Sequence, residues 1–94
     1  MKRGIRLESK QEIIVWSKVG CSYCDEIRSY LEEKGLSYQI IDVTHHDDRR
    51  DILAIKYGIR HVPVVEIGQN NVYKAVTEVG IEYVEKALAV VLNN

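Results

Sequence analysis

The stretch Ile13-Ile14-Val15-Trp16-Ser17-Lys18-Val19-Gly20-Cys21-Ser22-Tyr23-Cys24 decides how the rest of the chain is read. Residues 12–17 form a short apolar, β-branched run with polar ends, which predicts a buried strand. Beyond Gly20 the pattern changes to helical spacing, with Ile27, Tyr30 and Leu31 apolar and a helix expected from Ser22 to Lys34. Cys21 and Cys24, the only cysteines, therefore sit at a strand-to-helix junction. Residues three apart on a helix are close neighbours, near enough to meet the Cα separation of a disulfide. The first sulfur also faces unpaired N–H groups and the positive end of the helix dipole, which favour a thiolate. The pair reads as a redox-active dithiol.

Working outward, Gly35 occupies the glycine position that ends a helix, and residues 37–43 read as a second strand. Strand, helix and strand within about 30 residues make a βαβ unit with parallel strands and a right-handed crossover. Asp47 and Asp48 start a second helix whose apolar positions are Ile52, Leu53, Ile55 and Tyr57, with Gly58 as its stop. Val64–Ile67 and Val72–Val76 flank a Gly/Asn turn and predict a hairpin. Thr77 is the expected cap of a last helix running from Glu78 to about Leu92. The predicted order is β-α-β-α-β-β-α in one domain, residues 12–94, with residues 1–11 as a basic extension.

The 94 residues carry a formal charge of -1, with no strongly basic face, which argues against a nucleic-acid partner. No apolar stretch has the length of a membrane span, and the start lacks the apolar region of a secretory signal. A close dithiol without an export signal suggests a reducing compartment, so a cytoplasmic location is expected; a monomer is expected as well. Zinc held by Cys21, Cys24, His45 and His46 is disfavoured, because adjacent histidines do not match the usual ligand spacing.

Three separated features make the chain resemble the glutaredoxins. Trp16-Ser17-Lys18-Val19-Gly20-Cys21-Ser22-Tyr23-Cys24 is similar to that family's aromatic-x-Lys-x-x-Cys-Pro-Tyr-Cys, and Gly58-Ile59-Arg60-His61-Val62-Pro63 to its Gly-x-x-Thr-Val-Pro. The element order, over roughly residues 12–92, is the third. The resemblance implies an α/β fold: a thioredoxin-like three-layer α/β/α sandwich around a four-stranded mixed sheet. It also implies a cis Val62–Pro63 bond and thiol–disulfide oxidoreductase activity on protein disulfides or glutathione mixed disulfides. Cys21 is then the nucleophile and Cys24 the resolving thiol. Glutathione is the implied reductant, with no tightly bound cofactor, and Lys18, Tyr23, His61, Val62, Pro63 and Thr77 are the implied glutathione-binding residues. Ribonucleotide reductase is a possible partner by the same resemblance, and glutathione-dependent iron–sulfur binding is the alternative reading.

The chain departs from the family pattern at four places. Val19 and Ser22 replace prolines, His61 stands where threonine is usual, and Val76-Thr77-Glu78-Val79-Gly80 replaces the Gly-Gly-x-Asp that holds the γ-glutamyl end of glutathione. Thr77 and the free N–H groups of the last helix are expected to take over that carboxylate, against the charge of Glu78.

Overall fold

The computed structural model describes residues 12–69 and 72–92. The basic extension, residues 1–11, and the turn at Asn70-Asn71 lie outside the described residues. Seven elements follow in the order expected: β1 (Glu12–Ser17), α1 (Ser22–Glu33), β2 (Gln39–Asp42), α2 (Asp47–Tyr57), β3 (Val64–Gln69), β4 (Val72–Val76) and α3 (Ile81–Leu92). The strands form one sheet in the order β2-β1-β3-β4. β1 runs parallel to β2, and the pairs β1–β3 and β3–β4 are antiparallel. The sheet is therefore mixed and four-stranded.

β1 is apolar along its length because it is covered on both faces. Ile13 and Val15 pack with Ile27 and Leu31 of α1, Val65 and Ile67 of β3, and Val84, Ala87 and Leu88 of α3. On the opposite face Trp16 packs with Val43, Val64 and Leu53 of α2. Side chains alternate between sheet faces with a period of two. One strand thus feeds two cores, and the helices α1 and α3 lie on one side with α2 on the other.

Helix α1 buries Cys24, Ile27 and Leu31 at helical spacing. Its end is closed at Gly35, whose φ of 70° suits a residue without a Cβ. There the Gly35 N–H donates to Glu32 O at 3.0 Å and the Leu36 N–H to Leu31 O at 2.9 Å, which satisfies carbonyls left over by the last turn.

Two boundaries differ from the sequence reading. β2 spans four residues, within the 37–43 expected. Helix α3 begins at Ile81, not Glu78, so Thr77 is not its cap. Residues 78–80 form bends, and the turn into the helix is made at Gly80, with φ 137°.

Candidate active site

Cys21 is the N-cap of α1, with extended backbone (φ −96°, ψ 108°). Its Sγ accepts the Cys24 N–H at 3.1 Å. The same backbone donor that holds the sulfur here stabilises a thiolate when the pair is reduced. The two cysteines are joined as a disulfide with Cα atoms 5.2 Å apart. Cys24 is 1 % exposed and Cys21 8 % exposed, so Cys21 lies nearer solvent.

The loop that carries Cys21 is anchored on its β2 side. The Val19 N–H donates to Thr44 Oγ1 at 2.9 Å, and the Thr44 N–H donates to Asp42 Oδ1 at 2.9 Å. The Thr44 hydrogen bonds hold the Asp42 carboxyl below its ordinary value. Val43 N–H closes the set by donating to Ser17 O at 2.8 Å.

On the other side of β1 stands Pro63, joined to Val62 by a cis peptide bond, as the resemblance implied. Val64 pairs with Trp16 across the sheet. That register sets Pro63 beside the strand end from which the redox loop departs. His61, two residues earlier, is exposed, and its Nε2–H donates to Thr77 O at 2.9 Å. This bond ties the segment before Pro63 to the segment after β4.

The remaining expected residues are placed as follows. Tyr23 is half exposed at the first turn of α1. Lys18 is exposed and lines a surface cavity of about 390 Å³ with Ser17, Gly20, Asp25, Arg28 and Asp42. Val62 is half-buried and Pro63 fully buried. The backbone of Thr77 reaches His61, as described.

The sequence reading missed Glu66. This side chain is 3 % exposed on β3, three residues past Pro63. It accepts the Trp16 indole N–H at 2.8 Å, the Lys56 ammonium at 2.5 Å, and the Tyr57 hydroxyl. Burial alone pushes the Glu66 carboxyl up, but the three donors together outweigh it and leave the group below its ordinary value. Hydrogen bonding to Glu66 in turn raises the Lys56 pKa. A glutamate between apolar neighbours in a short strand was the one available signal. Arg49 and Arg50 are likewise structural, donating to Asp42 O at 2.7 Å and Arg60 O at 3.1 Å.

The chain is similar to known proteins in both sequence and fold. The glutaredoxin family model matches residues 13–72. An N-acetyl-S-hydroxy-L-cysteine reductase of Bacillus subtilis is 60 % identical over 77 residues, 82 % of this chain and 83 % of that protein. A glutaredoxin of Ricinus communis is 31 % identical over 75 residues, 77 % and 74 % of the two chains. Among solved structures, a thioredoxin-like protein superposes with a TM-score of 0.67 at 24 % identity, covering 81 % of this chain and 97 % of its own. A glutaredoxin from Francisella tularensis gives 0.65 at 15 % identity, covering 89 % and 99 %. These two structural likenesses establish the thioredoxin-like fold. The sequence matches go further: this chain belongs to the glutaredoxin family, the thiol–disulfide oxidoreductases built on that fold.

Proposed function

We propose that the protein is a dithiol reductase of low-molecular-weight cysteine derivatives oxidised at sulfur, either mixed disulfides or sulfenic acids. The observation that carries this reading is the asymmetry of the pair: Cys21 lies at the helix start with a backbone donor on its sulfur, while Cys24 is shut away behind it. Such a pair has a defined attacking thiol and a defined resolving thiol. The relative that reduces N-acetyl-S-hydroxy-L-cysteine supports the substrate class.

In this mechanism the Cys21 thiolate attacks the oxidised sulfur. A mixed disulfide R–S–S–R′ loses R′–S⁻, whereas a sulfenic acid R–SOH loses its oxygen as water after protonation. Both routes leave R joined to Cys21 through a new S–S bond. Cys24 then attacks the Cys21 sulfur, releases R–SH and closes the Cys21–Cys24 disulfide. The reduced enzyme thus gives up two electrons and two protons per turnover. An external low-molecular-weight thiol, of which glutathione is one, restores the dithiol by the same exchange in reverse.

The test is trapping. With the mixed disulfide of N-acetylcysteine and cysteamine, the Cys24→Ser variant should accumulate a single adduct on Cys21, seen by intact mass. Cys21→Ser should form none and lose turnover. An adduct on Cys24 in the Cys21→Ser protein, with turnover retained, would refute the assignment.

A further inference from the structure

The register of β1 on β3 sets Ile14 opposite Glu66 and Trp16 opposite Val64, so these four side chains share the sheet face that α2 covers. A carboxylate 3 % exposed on that apolar face is costly unless it is paired. Both oxygens of Glu66 are engaged. Oε1 accepts the Trp16 indole N–H at 2.8 Å, and Oε2 accepts the Lys56 ammonium at 2.5 Å together with the Tyr57 hydroxyl. A wholly apolar cluster would often fill such a space as stably. What the shared acceptor adds is direction, because each donor is held at one place on the carboxylate.

The donors come from the roots of the two loops that form the site. Trp16 stands five residues before Cys21, where β1 leads into the redox loop. Tyr57 is the last residue of α2, and residues 58–63 run from it through Pro63 into β3. Glu66 itself lies three residues past Pro63. One carboxylate therefore ties the root of the redox loop to both ends of the loop that sets Pro63 beside it. The middle of the Pro63 loop rides on α2: Arg50 Nη1 donates to Arg60 O at 3.1 Å, and Arg60 Nη1 donates to Asp51 Oδ1 at 2.6 Å. His61 adds its bond to Thr77 O. At Glu66 this unit of helix and loop is docked onto β1 and β3. The Cys21 sulfur takes its own support from α1, which packs on the opposite face of the sheet.

We propose that Glu66 is a positioning residue of the reductase: by docking the end of α2 on Trp16 and β3, it fixes the gap between Cys21 and the Pro63 loop in which the oxidised sulfur of the substrate is seated. This rests on the reductase reading above and deepens it. Glu66 touches neither the reacting sulfurs nor the donor that supports the Cys21 thiolate. Its loss therefore weakens the seating of substrate and spares the reactivity of the free thiol.

The experiment is a single turnover of the reduced protein with the mixed disulfide of N-acetylcysteine and cysteamine, quenched rapidly and read by intact mass over a range of substrate concentrations. Iodoacetamide alkylation of Cys21 across pH reports the free thiolate in parallel. Glu66→Gln should raise the half-saturating concentration about tenfold, with the limiting rate within about twofold of wild type. The pH profile of alkylation should stay that of the wild type. Tyr57→Phe removes one donor and keeps the carboxylate; it should raise the half-saturating concentration about threefold, and it decides the matter if the Glu66 variant does not fold. Partial unfolding lowers the amount of reacting Cys21 and leaves the half-saturating concentration unmoved, so a merely stabilising role gives a different result. An unchanged half-saturating concentration in both variants overturns the positioning role and leaves the reductase reading in place. A shifted alkylation profile also overturns it, by placing the effect on the thiolate. Wild-type protein that is alkylated at Cys21 yet never reacts with the mixed disulfide overturns the reductase reading, and the positioning role with it.

Discussion

Trp16 and Glu66 are joined by a 2.8 Å hydrogen bond from the indole Nε1 to Oε1, across fifty residues of sequence. Trp16 is the penultimate residue of the strand that leads into the redox loop, and Glu66 lies on the strand that follows Pro63. The bond therefore fastens the two segments that bracket the active site, and Lys56 and Tyr57 fasten α2 to the same carboxylate.

Replacing Glu66 with leucine should cost stability. The buried indole N–H and the Tyr57 hydroxyl would lose their acceptor, at about 1–3 kcal/mol for orphaned donors. Lys56, whose side chain is 44 % exposed, would turn to water and adds little. Glu66→Gln, which keeps an acceptor for the indole, should lose less. Urea unfolding followed by the fluorescence of Trp16, the only tryptophan, measures both.

The same carboxylate sets part of the acid response. Its folded pKa is lowered, so its contribution is present above the unfolded value of about 4.3 and is lost as pH falls through the lower folded value. Asp42, also lowered, acts in the same window. Stability should therefore decline below about pH 4, and Glu66→Gln should flatten that decline without abolishing it. An unchanged acid limb in urea titrations between about pH 3 and 6 would contradict the ion-pair role.

The fold is legible in the sequence, and the polar contacts around the site are not. The two-faced strand β1, the helix after Cys21 and the proline before β3 each announce themselves by local pattern, and the fold follows from their order. Glu66 does not, because its donors come from a strand fifty residues away and from a helix end nine and ten residues away, separations that no local spacing pattern reveals. The start of α3 was misplaced for a different reason: Thr77 has the chemistry of a cap, but the chain stays irregular until Gly80 supplies a backbone turn at φ 137° that side chains resist. His61 was expected at the groove, yet its bond to Thr77 O depends on β4 ending beside Pro63, a tertiary fact.

Gly68→Ala should destabilise the hairpin. A Cβ there would lie 2.2 Å from the Tyr73 ring, which covers the glycine from the paired strand. Tyr73 would have to swing out and release its hydroxyl contact with Glu12. A loss of about 1–3 kcal/mol is expected for such overpacking, read as a lower thermal midpoint. A wild-type midpoint would show that the ring moves freely.

Thr44→Val should loosen the redox loop with little effect on global stability. The Val19 N–H would lose its 2.9 Å acceptor, a contribution of about 0.5–1.5 kcal/mol. Hydrogen exchange at the Val19 amide should accelerate roughly tenfold while core amides of β1 stay protected. Uniform acceleration would indicate a general loss of stability instead.

The seclusion of Cys24 has a kinetic consequence. With one sulfur near the surface and its partner 1 % exposed, oxidised substrate and regenerating thiol must enter through a common door, one after the other. Turnover is then ping-pong, and either reactant in large excess should inhibit by crowding the other off Cys21.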